Sequence, residues 1–374
     1  MRQLTALCAA FLILTGCAPE KPKQALSAPV EAFEKIQKPP AFIWATWSKA
    51  PKGKFDRALW QGRMARYRAL GLTDVLVQAP AKQLEQIVPI AQQNELRIHA
   101  WVKILNRPKD PIPRKHPEWY AVSRLGQNSL AFRPYVRYYE WLSPFHPEVV
   151  RYLKNELRTY LKIEGLESLH LDYIRYPDVF LGAGLQKKYK LRQRTELPQF
   201  DFDYHPLARQ KFFRLFGIDP IDLQNPELNV EWHQVRLNEI NALVQQFRQL
   251  TDSAKIKLSA AVFPYPSLAR KNVRQDWSNW PLHEVYPMLY HNFYEQEISW
   301  INFALQQISK PQQKKTVAGL FLPALQDSAA LSNAIRQTTF LPIKGIAFFS
   351  IDHLPKQKNE ALKQIIKKRM RPEL

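Results

Sequence analysis

Eight short apolar runs, each followed by a stretch with helical spacing, constrain this chain more than any other feature. The runs are AFIWATW (41–47), TDVLVQA (73–79), RIHAWVKI (97–104), LESLHLDYI (166–174), KIKLSAAVF (255–263), EVYPMLY (284–290), KTVAGLFL (315–322) and KGIAFFSI (344–351). Predicted helices lie between them: one closes at Gly71, one carries Pro89 as a weak point, and one stacks Val150, Leu153, Leu157 and Leu161 before stopping at Gly165. A later helix puts Ile240, Leu243, Val244 and Phe247 on one stripe, and SWINFALQQI, SAALSNAIRQ and KNEALKQIIKK complete the series. Strands that alternate with helices pair in parallel, and eight is the number that closes a cylinder. The expected fold is therefore a (β/α)8 TIM barrel spanning residues 41–374, with long loops after strands 3 and 4, from Asn106 to His146 and from Pro177 to about Ala254. A doubly wound open sheet is the rival, but no Gly-rich phosphate turn follows an early strand, and the chain has only 11 glycines.

Within the fourth run, SLHLDYIRYPD (168–178) alternates Leu169, Leu171 and Tyr173 with His170 and Asp172. In a barrel strand that alternation sends the leucines and Tyr173 towards the helices and His170 and Asp172 into the cylinder. Asp172 then stands at the C-terminal end, where this fold builds its sites. A carboxylate there needs a cation, Arg175 or Lys103, or a substrate; a buried Asp–Arg pair holding the rim is the bland reading. Lys103 sits in an otherwise apolar strand and has Asp172 as its natural neighbour. Trp47, Trp101 and Trp141 offer flat surfaces on which a pyranose could stack, with His99 on the face of Trp101 and Asn106 just beyond.

The N-terminus, MRQLTALCAAFLILTGC, has one cation and an apolar run from Leu4 to Leu14. That is short of the roughly 20 residues a permanent span needs, so residues 1–16 read as a secretory signal. Leu14-Thr15-Gly16-Cys17 resembles the lipobox of bacterial lipoproteins, which implies cleavage before Cys17 and lipid on its sulfur. Residues 17–40 then form a tether rich in Pro, Lys and Ala. Ala18, not Asp, follows the cysteine, which by the sorting rule of such lipoproteins implies the outer membrane, facing the periplasm. Cys8 falls in the segment to be removed, so no mature thiol remains for a disulfide, a thiolate nucleophile or a cysteine metal site. Lys plus Arg outnumber Asp plus Glu 54 to 33, a net charge of +21. The basic residues are scattered and the chain is read as exported, which argues against nucleic acid and for an anionic envelope polymer or membrane surface, or for no specific partner. FDFDYH offers Asp201, Asp203 and His205, yet no Gly turn or bidentate Glu completes a calcium loop, and neither metal nor cofactor is expected.

The segments HLDYIRYP, HPEWY, WLSPFHPEVVRYL, RQDWSNW and YPMLYHNFY, in that family's order from about Ala41 to Leu354, resemble glycosyl hydrolase-like family 10, bacterial envelope and exported TIM barrels. The resemblance implies polysaccharide cleavage, in at least one relative of peptidoglycan glycan strands stripped of peptides. It puts the fourth-strand aspartate on Asp172, followed by Arg175, Tyr176 and Pro177; the Gln-Asp-Trp aspartate on Asp276; and the Pro-Met-x-Tyr tyrosine on Tyr290, followed by His291. The first strand lacks the Asp many members carry, and the loop after strand 2 is short.

Glycoside cleavage ordinarily takes two carboxyl groups flanking the bond. Asp172 is the first. For the second, Asp276 leads and Asp352 at the end of strand 8 follows, while Glu284 lies at the wrong end of strand 6. Asp276 is also well placed to cap a helix. A family-18 chitinase pattern aligned on Asp172 would put its catalytic Glu at Ile174, so that acid is missing. The expected function is hydrolysis of an envelope glycan with Asp172 as nucleophile or electrostatic stabiliser and Asp276 or Asp352 as general acid/base, with Trp101, Lys103, Asn106, His170, Arg175, Tyr176, Tyr290 and His291 around the sugar. Lys103 or Arg175 would meet carboxylates such as muramic lactyl groups. A glycan-binding lipoprotein without catalysis is the alternative.

Overall fold

The computed structural model describes residues 42–133, 135–354 and 356–370. The expected signal segment (1–16), the expected lipidation site Cys17 and the expected tether (17–40) lie outside the described residues.

All eight predicted strands form, at β1 Ile43–Lys49, β2 Asp74–Gln78, β3 Arg97–Lys103, β4 Ser168–Asp172, β5 Lys257–Val262, β6 Glu284–Pro287, β7 Val317–Phe321 and β8 Gly345–Phe349. They are parallel and ordered β6-β5-β4-β3-β2-β1-β8-β7. Closure between β6 and β7 is thin: Val285 bridges Thr316 and Met288 bridges Gly319, with the Val285 and Leu289 N–H groups donating to Lys315 and Gly319 carbonyls. A β-carbon on Gly319 would lie 2.8 Å from the Pro287 carbonyl oxygen and 3.2 Å from Trp47 Cη2, so only glycine lets these strands approach.

The helices are α1 Arg57–Ala69, α2 Ala81–Gln93, α3 Pro147–Tyr160, α4 Ala183–Lys188, α5 Pro206–Phe216, α6 Val230–Ser253, α7 Pro266–Val273, α8 Trp300–Gln306, α9 Lys310–Gln313, α10 Ser328–Thr338 and α11 Lys356–Met370. α1 ends as predicted, with Gly71 at φ 89° just past its cap. Pro89 does not break α2. α3 ends at Tyr160, and Gly165 (φ 74°) instead turns the chain into β4. The long loop after β4 carries α4 and α5, which sequence periodicity did not reveal. No helix among the described residues is long and apolar enough to cross a membrane.

Alternation divides the apolar residues into two clusters. Trp44, Leu169, Leu171, Ala100 and Val102 face the helices, whereas Ile43, Ala45, Trp47, Leu76, Trp101, Tyr286, Val317 and Ala347 pack inside the cylinder. Burial on both strand faces is what a parallel barrel demands.

The lower, N-terminal half of the interior is polar. Asp74 takes a bidentate pair from Arg97 (2.8 and 2.7 Å) and a bond from His99 (2.8 Å), and Glu284 pairs with Lys344 (2.6 Å) and Tyr286. Burial alone would raise the Asp74 pKa; the His99 and Arg97 hydrogen bonds outweigh it and hold the carboxyl below its usual range. From this base a chain of hydrogen bonds climbs to Trp47. The indole N–H of Trp47 donates to His170 Nε2 (3.3 Å), which assigns the remaining ring proton to Nδ1. Donors then run one way, His170 to Ser259 (2.9 Å), Ser259 to Ser168 (3.3 Å), Ser168 to His99 (2.6 Å) and His99 to Asp74.

Candidate active site

Above Trp47 the C-terminal face opens into a cavity of about 430 Å3. Its floor is made by strand ends: Trp47 and Lys49 of β1, Trp101 and Lys103 of β3, Asp172 of β4, Ala261 of β5 and Phe349 of β8. Its walls come from the two long loops, with Tyr135, Tyr138 and Tyr139 from one and Tyr173, Arg175, Asp178 and Tyr189 from the other, closed by Tyr290, Phe293 and Phe321. Tyr290 lies parallel to Phe349 at 6.1 Å, and Trp101 meets Phe349 edge-on. Few polar groups converge within aromatic walls, the pattern of a small-molecule or sugar site.

Asp172 projects into this cavity, partly exposed. Its Oδ2 accepts from Trp101 Nε1 (2.9 Å) and its Oδ1 from the Tyr173 N–H (2.7 Å). Burial raises its pKa; the hydrogen bonds from Trp101 and Tyr173 and the charges of Arg175 and Lys103 oppose this without reversing it. Tyr173 departs from expectation: its φ of 52° breaks the alternation, and its ring lines the cavity instead of packing on the helices. A bulky residue in the left-handed region is strained by about 1–2 kcal/mol, and here it turns the chain directly behind the acid.

Lys103 pairs with Asp172 in register across β3 and β4, yet its ammonium rests on the Tyr173 ring at 5.6 Å and forms no salt bridge among the described residues. Burial lowers its pKa. Arg175 reaches the cavity with its guanidinium between the faces of Trp141, Tyr173 and Phe263, Nη1 donating to Asp178 (3.2 Å) and to the Tyr176 carbonyl (2.8 Å) and Nη2 reaching the Tyr139 hydroxyl at 3.5 Å. Tyr290 lines the cavity, its hydroxyl kept protonated by burial and by the nearby Asp172 charge.

The remaining expected residues do not converge here. Asp276 is buried against α6 and α7, where Arg270 (2.6 Å), Asn279 (2.8 Å) and Asn241 (3.3 Å) hold its carboxylate. It occupies the cap position of a short 3-10 turn without making a cap bond. Asp352 is turned outward between β1 and α1, bonded by Ser48 (2.9 Å) and Tyr67. His170 is fully buried below Trp47, and its pKa is pushed well down by burial. Asn106 accepts from the Glu140 N–H (3.0 Å) inside the first long loop, and Tyr176 and His291 are buried and do not line the cavity. Asp201 pairs with Arg236 (2.5 Å), and Asp203 accepts from Ser143, Val122 and His205 backbone or side-chain donors, so both are committed to pinning the second loop.

The carboxylate that reasoning from sequence missed is Asp178. It lines the cavity, with Oδ2 held by Arg175 and by Tyr139 (2.8 Å) and Oδ1 unpartnered among the described residues. The signal was present: it stands three residues after Arg175 in the same segment.

Fold comparison finds the glycoside hydrolase domain of PgaB (BpsB) from Bordetella bronchiseptica, at TM-score 0.64 and 13% identity over 87% of this chain and 99% of that one. A β-galactosidase from the psychrophilic Marinomonas ef1 follows at TM-score 0.55 and 10% identity, covering 87% of this chain and 59% of that one. An α-galactosidase from Lactobacillus brevis gives TM-score 0.52 and 11% identity over 89% and 40%. At such identities the likeness establishes the TIM barrel. Among curated proteins none matches this chain in sequence. A family model does match, from residue 51 to 322, which takes in β2 to β7, both long loops and Asp172. With most of the barrel inside that match, the chain belongs to the Glycosyl hydrolase-like 10 family.

Proposed function

We propose that this protein hydrolyses O-glycosidic bonds of a bacterial cell-envelope polysaccharide, with the glycan strands of peptidoglycan as its substrate and Asp172 as its general acid. The observation that carries the reading is a single carboxyl group at the floor of an aromatic cavity, whose burial favours the protonated form a general acid needs. Asp172 gives its proton to the leaving oxygen as the bond to the anomeric carbon breaks; the Trp101 indole and Tyr173 N–H then stabilise the carboxylate left behind. Asp178 replaces Asp276 and Asp352 as the second carboxyl group, its open Oδ1 suited to take a proton from the attacking water. Lipid on Cys17 would tether the barrel at the outer membrane, facing the periplasm and within reach of the murein.

Asp172→Asn is expected to lower release of reducing ends from peptide-free glycan strands by about 10²- to 10⁴-fold, the contribution of a positioned acid. The wild-type rate should fall on the alkaline side with a midpoint above the ordinary aspartate value of about 4. Full activity in Asp172→Asn rules the assignment out. Binding to murein that persists with no product, in wild type and variant alike, would make the protein a glycan-binding lipoprotein.

A further inference from the structure

Inside the barrel the fixed cations are matched by acids: Arg97 by Asp74 (2.7 Å), Lys344 by Glu284 (2.6 Å) and Arg175 by Asp178 (3.2 Å). Three cavity lysines are not: Lys188 on α4 is exposed, while Lys49 and Lys103 stand on the floor. Lys49 ends β1, with its ammonium 5.2 Å from the centre of the Trp101 ring and 5.8 Å from that of Phe349. Lys103 ends β3, 5.6 Å from the Tyr173 ring. Neither forms a salt bridge with a carboxylate among the described residues, and both line the cavity floor on the rings that flank Asp172. An ammonium seated on aromatic faces keeps its three N–H donors for another group.

We infer that Lys49 and Lys103 read a carboxylate carried by the sugar bound beside Asp172, so that the substrate is an acidic glycan. The inference rests on the glycan-site reading above, but concerns recognition and not cleavage. A neutral polysaccharide would displace water from both ammonium groups without supplying a counter-charge, and a polymer of free amino sugars would add like charge to them. A sugar carboxylate supplies the missing charge through charge-assisted hydrogen bonds. Arg175 brings no unmatched charge, because Asp178 already pairs with it at 3.2 Å. The carboxylate could be the ring carboxyl of a hexuronic acid or a lactyl ether on an amino sugar; the chemistry is shared.

The test is calorimetric titration of the full-length protein in detergent with a peptide-free muramic-acid oligosaccharide, an oligoglucuronide, the carboxyl-reduced form of each, and a neutral chitin oligosaccharide. One acidic ligand should bind about a hundredfold tighter than its reduced form, about tenfold for each lysine, and which one does so identifies the source. K49Q and K103Q should each narrow that gap by about tenfold, with K49R retaining most of it. Lys49 is exposed, so the charge lost in K49Q is not one the core depends on. Equal affinity for native and reduced ligands, lysine variants that weaken both alike, or no binding anywhere in the panel would overturn the inference. Discrimination without cleavage would sink the hydrolase reading alone; cleavage of the chitin oligosaccharide without discrimination would sink this one alone.

Discussion

The two ends of the barrel treat charge in opposite ways. At the base, Asp74, Arg97, His99, Glu284 and Lys344 are joined in pairs at hydrogen-bond distance, and their carboxyl groups are held below the usual range. At the mouth, Asp172 is pushed up and Lys103 down, because burial acts on each without an ion-paired partner. Charges matched on every side, as at the base, make a scaffold, whereas the Arg175–Asp178 pair at the mouth still leaves one carboxylate oxygen open. Unmatched ones weaken the fold locally and wait for substrate.

The largest effect should come from exchanging the two behaviours. Asp74→Asn would leave Arg97 and a buried His99 without their anion and should cost about 3 kcal/mol in denaturant unfolding, with activity per folded molecule unchanged. Asp172→Asn should do the reverse, leaving stability at neutral pH unchanged or raised: a carboxyl whose folded pKa is raised stabilises below its unfolded pKa, and that contribution is lost as pH rises. A lower stability for Asp172→Asn than for wild type would break the contrast. Gly319→Ala probes the join between the halves. Its β-carbon would press on Pro287 and Trp47, with an expected loss of about 1–3 kcal/mol and weaker glycan binding as the Trp47 ring shifts. The smallest effect concerns His170. Burial keeps it neutral in the fold, whereas the unfolded chain takes up a proton near pH 6.5, so its contribution is complete above that value and lost as pH falls. The stability advantage of wild type over His170→Asn should therefore shrink between neutrality and about pH 5; an advantage that grows would contradict the neutral one-way chain.

The strands and the inward-facing Asp172 were legible because period-two alternation is local. The fate of the other acids was not, since it depends on partners far away in sequence. Asp276 sits after β5 as expected but is captured by Arg270 and Asn241, and Asp352, expected to end strand 8, lies in the turn Ile351–His353 just past β8 and is captured by Ser48 and Tyr67. Nothing in their immediate neighbours predicts that competition. Asp178 and the tyrosines 135, 138 and 139 lie on loops without periodicity, so their convergence came only with the fold. Tyr173 was misread for a different reason: a single left-handed residue reverses the face that alternation assigns.

The sparse join between β6 and β7 has a dynamic side. Tyr290, just beyond β6, and Phe321, at the end of β7, face each other across it with ring centres 5.1 Å apart, and β6 ends in Pro287, which has no N–H to lend. With so few hydrogen bonds to break, this seam is where amide exchange would begin, and each such opening would part the cavity wall along its length while the other strand pairs stay zipped.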